Sequence, residues 1–297
     1  MRLRGKLLRG YGGFYYVYAE GRVWECSLRG RFRLQNQSFL PGDEVEILAD
    51  GDGGGTLEQV LPRKNSLRRP PVANVDLAVL VFSIAKPPPD ETLLNRLLVQ
   101  AMHAGLDVII VFTKADLLSP AEGGAPDLYR EAGFETHRVS ALTGDGADAL
   151  GARLRDRIAV LAGQSGVGKT TLLNALGGLS LKTGELSAKL GRGRHTTRHV
   201  ELLRVAGGLV ADTPGFSSYN LPEMKPAELA RCFPEMSPYA DGCRFKSCLH
   251  DKEPDCRVKE AVAAGGIAGA RYEYYLSFLH ELRGRKPKNP RRRGEEK

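Results

Sequence analysis

The chain has 297 residues, 42% of them hydrophobic and 26% charged, a balance that supports two or three globular domains with a sizeable core. Its basic N-terminus runs into no apolar signal segment and its longest apolar run, Leu77 to Phe82, has buried-strand length, so neither secretion nor membrane spanning is expected and the cytoplasm is the expected compartment. The net charge of +8 points to an acidic partner, with nucleic acid the first candidate.

From Leu3 to about Val60, short stretches of β-type composition (Gly13 to Tyr18, Arg22 to Cys26, Glu44 to Leu48) alternate with glycine-rich breaks, which predicts a small β-barrel of the oligonucleotide-binding (OB) kind. Residues 1–34 carry Arg2, Arg4, Lys6, Arg9, Arg22, Arg29, Arg31 and Arg33 against Glu20 and Glu25 alone, with Phe14, Tyr15, Tyr16, Tyr18 and Trp24 nearby. Bases could stack on such aromatics while the cations track phosphates; the competing expectation is that the aromatics fill the barrel core. Arg63 to Pro71 is basic and proline-ended and reads as a linker.

A second domain is expected from about Val72. Strands at Asp76 to Ser83, Asp107 to Phe112, Glu135 to Val139 and Ile158 to Ala162 alternate with helices at Asp90 to Ala104, Ala147 to Arg157 and from Lys169. A strand pair follows near Arg198 to Val205 and Gly208 to Ala211. This α/β pattern predicts a mostly parallel sheet covered on both faces, with ligands at the carboxyl ends of its strands. Beyond Tyr219 come proline, cysteine and charge, a helical stretch from Val258 to Leu282, and a basic tail from Arg283 to Arg293. The expected domains are 1–66, 67–220 and 221–297.

Gly163-Gln164-Ser165-Gly166-Val167-Gly168-Lys169-Thr170 is a phosphate loop between a strand and a helix. Its glycines let backbone N–H groups wrap the phosphates, Lys169 reaches the β- and γ-phosphates, and Thr170, followed by Thr171, brings a hydroxyl to Mg2+. Thr113-Lys114-Ala115-Asp116 adds base specificity. The Asp116 carboxylate can accept from both N1–H and the exocyclic amine of guanine, Lys114 packs along the base, and Ser140-Ala141 brings a backbone N–H to the guanine O6. That carboxylate argues against an ATPase or small-molecule kinase. Asp212-Thr213-Pro214-Gly215 supplies Asp212 for Mg2+ and the Gly215 N–H for the γ-phosphate, and Gly191 to Thr197 suits a mobile switch whose Thr196 or Thr197 reaches Mg2+. Phe216 stands where many GTPases keep a glutamine, so intrinsic hydrolysis is expected to be slow, with His195 a candidate for positioning water. The base-reading motifs precede the phosphate loop, the reverse of the ordinary GTPase order, which marks a circular permutation.

Cys243, Cys248, His250 and Cys256 offer three thiolates and an imidazole within a short segment, the pattern of a closed, structural tetrahedral zinc site. Cys26 and Cys232 are expected to be packing residues.

The permuted order, Gly193 to Thr197, Arg68 to Asp76 and the cysteine cluster together resemble the circularly permuted GTPases of the RsgA (YjeQ/YloQ) family, over nearly the whole chain. The resemblance implies an N-terminal OB-fold, a permuted GTPase core and a C-terminal zinc domain. It also implies action in late maturation of the small ribosomal subunit, binding to its rRNA, GTP hydrolysis stimulated by that subunit, and release afterwards. It implies a catalytic role for His195, which corresponds to the family's switch histidine; Lys169 and Thr197 are the other catalytic candidates, and the sequence departs from the family at Thr113, where Asn is commoner. The protein is expected to work as a monomer away from membranes. The alternative is a GTP-dependent protein-binding switch with basic surfaces for acidic partners.

Overall fold

The computed structural model describes residues 1–28, 38–117, 125–178, 200–212 and 219–285, with Asp212 described by its backbone alone. Strands β1 (Arg2–Tyr11), β2 (Phe14–Ala19), β3 (Arg22–Leu28), β4 (Glu44–Ala49) and β5 (Gly54–Val60) close a barrel in the order β1-β2-β3-β5-β4, with β3 and β5 parallel and the other pairs antiparallel. Closure removes the free edges that an open five-stranded sheet would present. Alternate residues point inward: Leu7, Val17, Trp24, Cys26, Val45, Ile47 and Leu57 form the core. Gly5 lies where a Cβ would come within 2.6 Å of the Tyr18 carbonyl oxygen, so β1 and β2 approach closely only because that position is bare.

The aromatics divide between the barrel core and its surface. Trp24 is 3% exposed and its Nε1 donates to the Ala19 carbonyl, so it belongs to the core and offers no face for a base. Phe14 and Tyr11, paired across the β1–β2 turn, are exposed, and Tyr16 is capped by the Arg9 guanidinium at 4.4 Å. Arg29, Arg31 and Arg33 lie outside the described residues.

The segment read as a linker is instead a stitched hairpin, β6 (Ser66–Arg68) with β7 (Pro71–Ala73). Strands of three residues carry no periodicity to read; they are held from outside. Asn65 exchanges two bonds with the Val75 backbone at 2.8 Å, and Asn74 accepts from Lys64 N and donates to the Gly42 carbonyl. Asp43, fully buried, accepts from Arg63 at 2.5 and 2.9 Å.

The GTPase sheet comprises β8 (Leu77–Ser83), β9 (Asp107–Thr113), β10 (Glu135–Val139), β11 (Ile158–Ala162), β12 (Leu202–Val205) and β13 (Gly208–Asp212), in the order β10-β9-β8-β11-β13-β12. All neighbours are parallel except the edge strand β12. Every residue of β8 and β11 is buried, as central parallel strands covered on both faces require. Helix α1 (Glu91–His103) is capped by Asp90, whose side chain accepts from Leu93 N, and it buries Leu94, Leu97 and Leu98. Helix α2 (Ala125–Glu131) follows, then α3 (Ala147–Leu154), which stops three residues short of the sequence expectation. Asp156 there takes a left-handed φ of 59° so that the chain can reverse into β11. Helix α4 (Lys169–Gly177) leads from the phosphate loop.

Residues Met1–Arg130 and Phe134–Tyr219 form one compact unit; Asn220–Lys297, with Glu131–Gly133, form a second. In the second, the short helices α5 (Pro226–Leu229) and α6 (Ser237–Ala240) precede α7 (Arg257–Ala263) and α8 (Gly269–Gly284). The single helical stretch read from the sequence is thus two helices, parted at Gly265, whose φ is +78°. Leu229, Phe233, Met236, Tyr275, Phe278 and Leu279 give this unit a core of its own. Within it Arg271 and Glu235 meet at 2.7 Å, both buried, with the guanidinium 4.6 Å from the Phe233 ring centroid.

Candidate nucleotide site and metal centre

The sheet delivers the expected motifs to one edge. β9 ends at Thr113, β10 runs into Ser140, β11 into Gly163, and β13 ends at Asp212, all at carboxyl termini.

The phosphate loop turns sharply out of β11. Gly163 has φ +142° and a Cβ there would lie 1.9 Å from the Val81 carbonyl oxygen, so the loop can pass β8 only with glycine. Gly166 and Gly168 also have positive φ, and Gly168 is the N-cap of α4 without a side-chain cap. The first N–H groups of α4 therefore face the loop, the arrangement that attracts a phosphate. The Lys169 ammonium lies inside the loop, donating to the Gly163 and Gln164 carbonyls at 3.0 and 2.7 Å. Thr170 is half-buried and Thr171 exposed in the first turn.

The residues expected to read the base are joined to this loop directly. Thr113 Oγ1 lies 2.5 Å from the Val167 carbonyl and 3.1 Å from that of Phe82, so the threonine spans the two loops. Lys114, with φ +61°, donates to the Gly166 carbonyl at 3.2 Å and to that of Lys86. Ser140 Oγ donates to Asp116 Oδ1 at 2.6 Å and accepts from the Leu142 and Thr143 N–H groups, fixing the carboxylate and the Ser140–Ala141 turn as one piece. One carboxylate oxygen is so engaged.

Three further residues carry no signal legible in the sequence. Ser83 closes the loop after β8 by donating to the Lys86 carbonyl at 3.1 Å, and that same carbonyl receives Lys114. Asp90 N donates to Gln164 Oε1 at 3.3 Å, while its carboxylate also accepts from Tyr219 Oη. Leu142 is 85% exposed beside Asp116 and Ser140, an apolar group where a flat ring could rest. His195, Thr196, Thr197 and Gly215 lie outside the described residues, as does the side chain of Asp212.

In the second unit the sequence-predicted cluster assembles. The ligand atoms of Cys243, Cys248, His250 and Cys256 all lie within 4.8 Å of one another. Cys243 Sγ is 3.9 Å from Cys256 Sγ, and His250 Nδ1 is 3.6 and 3.4 Å from those sulfurs. Tetrahedral zinc with bonds of about 2.3 Å to sulfur and about 2.0 Å to nitrogen sets its ligand atoms roughly 3.5–3.8 Å apart, so the donors fit. Burial lowers the pKa of the His250 imidazole, partly offset by Glu253, and favours the neutral, ligating form. The loop is held by its backbone. Tyr272 and Tyr275 of α8 donate to the His250 and Leu249 carbonyls at 2.6 and 2.7 Å, and Glu253 accepts from Leu249 N and Asp251 N. Cys26 and Cys232 are buried in their own cores, and burial pushes both thiols up to about 11, consistent with packing residues.

A phosphate loop and the Thr113–Asp116 motif on one sheet edge, in permuted chain order and following a closed five-stranded barrel, define a circularly permuted P-loop GTPase with a Cys/His metal-type cluster in its last unit. Residues 60–222 match the RsgA GTPase family and residues 4–57 the RsgA N-terminal domain; the chain belongs to the RsgA GTPase family. It is 54% identical over 282 residues to the small ribosomal subunit biogenesis GTPase RsgA of Moorella thermoacetica, covering 94% of this chain and 97% of that one. It is 48% identical over 292 residues to the protein of the same name from Geobacillus thermodenitrificans, covering 96% and 99%. Among solved structures it is similar to YloQ, described as a circularly permuted GTPase (TM-score 0.80, 36% identity, 97% and 98% covered). It is also similar to YjeQ from Thermotoga maritima (TM-score 0.78, 37% identity, 96% and 100% covered).

Proposed function

We propose that this GTPase matures the small ribosomal subunit late in assembly, binding rRNA in its GTP form and leaving after hydrolysis. The observation that carries the nucleotide half is the Ser140–Asp116 bond beside a phosphate loop braced by Thr113. The target is supported by relatives named for small-subunit biogenesis that align over nearly the whole chain, and by the net charge of +8.

In this reading Asp116, Lys114 and the Ala141 N–H read guanine, and Thr113 and Ser140 position them. The N–H groups of residues 163–168, with Lys169, Thr170 and Thr171, hold the phosphates. Thr170, Thr197 and Asp212 would hold Mg2+, which supplies charge neutralisation at the β- and γ-phosphates when bound. Thr196, Thr197 and the Gly215 N–H sense the γ-phosphate, and His195 positions the attacking water. Cys243, Cys248, His250 and Cys256 hold one structural zinc. Residues 1–66 act as the RNA-binding barrel, 67–220 as the GTPase and 221–297 as the zinc-binding domain with its basic tail. Among the described residues no helix is long and apolar enough to cross a membrane; we assign the protein to the cytoplasm, as a monomer.

Purified small subunits should raise GTP turnover, with an effect that fades as salt rises; equal stimulation by large subunits, or by neither, sinks the assignment. His195→Ala should keep GTP affinity and lose the stimulated rate.

A further inference from the structure

A cleft of about 490 Å3 lies at the end of the GTPase sheet opposite the nucleotide motifs. Ile158 and Gly208, the first residues of β11 and β13, line it, together with Lys6 and Tyr18 of the barrel. Its volume falls within the range of about 300–1,000 Å3 usual for sites that take small ligands or ligand fragments.

The lining is cationic. Lys6, Arg157 and Arg204 face Asp156 as the single acidic residue. Arg157 is partly engaged by Asp107 at 3.1 Å, and Glu44, the acidic neighbour of Lys6 on β4, is already taken by Arg4. The Arg204 guanidinium carbon lies 4.3 Å from the Tyr18 ring centroid, a cation–π contact that holds the side chain at the cleft. Helix α4 also ends at the cleft through Gly177, and its partial negative charge is small beside three full cations. Arg2, Arg4 and Lys6 alternate along β1 and share its outer face, where Glu46 and Glu44 of β4 stand opposite Arg4 and Lys6, so the charge of the cleft itself rests on Lys6, Arg157 and Arg204.

We propose that this cleft is a second binding site of the protein, taking phosphodiester groups of a single RNA strand. An open cleft with several separate cations on its wall suits a polymer better than a mononucleotide, which a closed pocket would hold. The choice of RNA rests on the reading of a ribosomal partner; the site itself rests on the lining. Its placement gives it a consequence. The β12–β13 hairpin joins the two segments assigned to the switches, and the barrel grips it through Arg204 on Tyr18 and through the Arg9–Glu201 ion pair at 3.0 Å. Helix α4 meanwhile runs from the phosphate loop to the cleft. A strand held by Arg204 therefore bears on the hairpin that spaces the switches.

The test uses the full-length protein and a fluorescein-labelled, mixed-sequence 12-mer of single-stranded RNA, followed by anisotropy across a salt series. Lys6→Gln with Arg204→Gln should weaken binding about tenfold and reduce the slope of log K against log salt by about 1.4, two phosphate contacts' worth. The charge-keeping pair Lys6→Arg with Arg204→Lys should stay within about threefold of the unaltered protein. Unchanged affinity and slope in the glutamine pair overturn the proposal, as does displacement of the 12-mer from the unaltered protein by millimolar AMP. Should the glutamine pair fail to fold, as read by its Tm, photocrosslinking of 4-thiouridine RNA to the unaltered protein decides. Crosslinks within residues 1–18 or 200–209 support the site, and their absence overturns it. Stimulation of the unaltered protein by small subunits is measured alongside: its loss counts against the ribosomal reading and leaves the naked-RNA result standing.

Discussion

Thr113 Oγ1 lies 2.5 Å from the Val167 carbonyl oxygen, so the end of β9 and the phosphate loop share a hydrogen bond although they are 54 residues apart in sequence. The commoner asparagine could bridge with two polar atoms; the threonine hydroxyl has one proton, and Phe82 and Val167 compete for it. Thr113→Val keeps the shape and removes that proton, leaving a buried carbonyl with one partner fewer. Losing such a bond costs about 1–2 kcal/mol, so GDP should bind roughly tenfold more weakly, as read by fluorescent-GDP titration. Thr113→Asn should bind at least as tightly as the unaltered protein.

Asp116 offers one oxygen to Ser140, and in the proposed function the other accepts from the base. Asp116→Asn replaces that free acceptor with an amide that can turn a donor outward, which matches the 2-oxo group of xanthine and opposes the amine of guanine. Loss of a charge-assisted pair is worth about 3 kcal/mol, so GDP affinity should fall roughly 100-fold while XDP gains. Competition of labelled GDP by GDP, XDP and ATP reads this out, and an unchanged guanine preference would place the base elsewhere.

What the sequence disclosed was local. The apolar runs of β8 and β11, the helical pattern that follows Asp90 and the glycine loop each announce themselves within a few residues. What it hid depends on partners far away. β1 looks unlike a strand because Arg2, Arg4, Gly5 and Lys6 interrupt it, and its inward Leu3 and Leu7 acquire a core only when it closes against β4. Trp24 could be read as a stacking platform until the inward register of Trp24 and Cys26 on β3 is known. The Asp90–Gln164 bond joins a helix cap to the phosphate loop across 74 residues, and neither residue is unusual in its own neighbourhood. The four metal-ligand candidates were legible because a short loop must supply all of them.

Those four donors tie together residues 243–256 and the start of α7, where Cys256 is the N-cap. The unit has its own apolar core around Phe233, Tyr275 and Phe278, so its helices do not depend on metal alone. Structural zinc contributes on the order of 10 kcal/mol in small domains without such a core. Here Cys243→Ser, or a strong chelator, should release one zinc per chain and lower the unfolding midpoint of the second unit. Hydrogen exchange should rise first at Leu249 and Asp251, whose N–H groups are held by Glu253. GDP affinity should stay unchanged. A chain that carries no zinc when purified without chelator, or one whose second unit is indifferent to its removal, counts against the site.

Gly163 meets β8 more closely than any side chain permits. Its added Cβ would sit 1.9 Å from the Val81 carbonyl oxygen, in the middle of a fully buried strand that cannot retreat, and its φ of +142° is strained for every residue but glycine. Gly163→Ala must therefore move the phosphate loop and carry with it the Gly163 carbonyl that receives Lys169. The cost has two parts, overpacking of about 1–3 kcal/mol and backbone strain of similar size. Thermal unfolding should report a lower Tm, and GDP affinity should fall at least 100-fold. Gly166→Ala separates the two, because its φ is also positive but its Cβ would meet nothing within 4 Å. That variant should fold with a smaller loss of Tm and still bind GDP, so equal damage from both substitutions would mean that the close contact with Val81 does not set the loop.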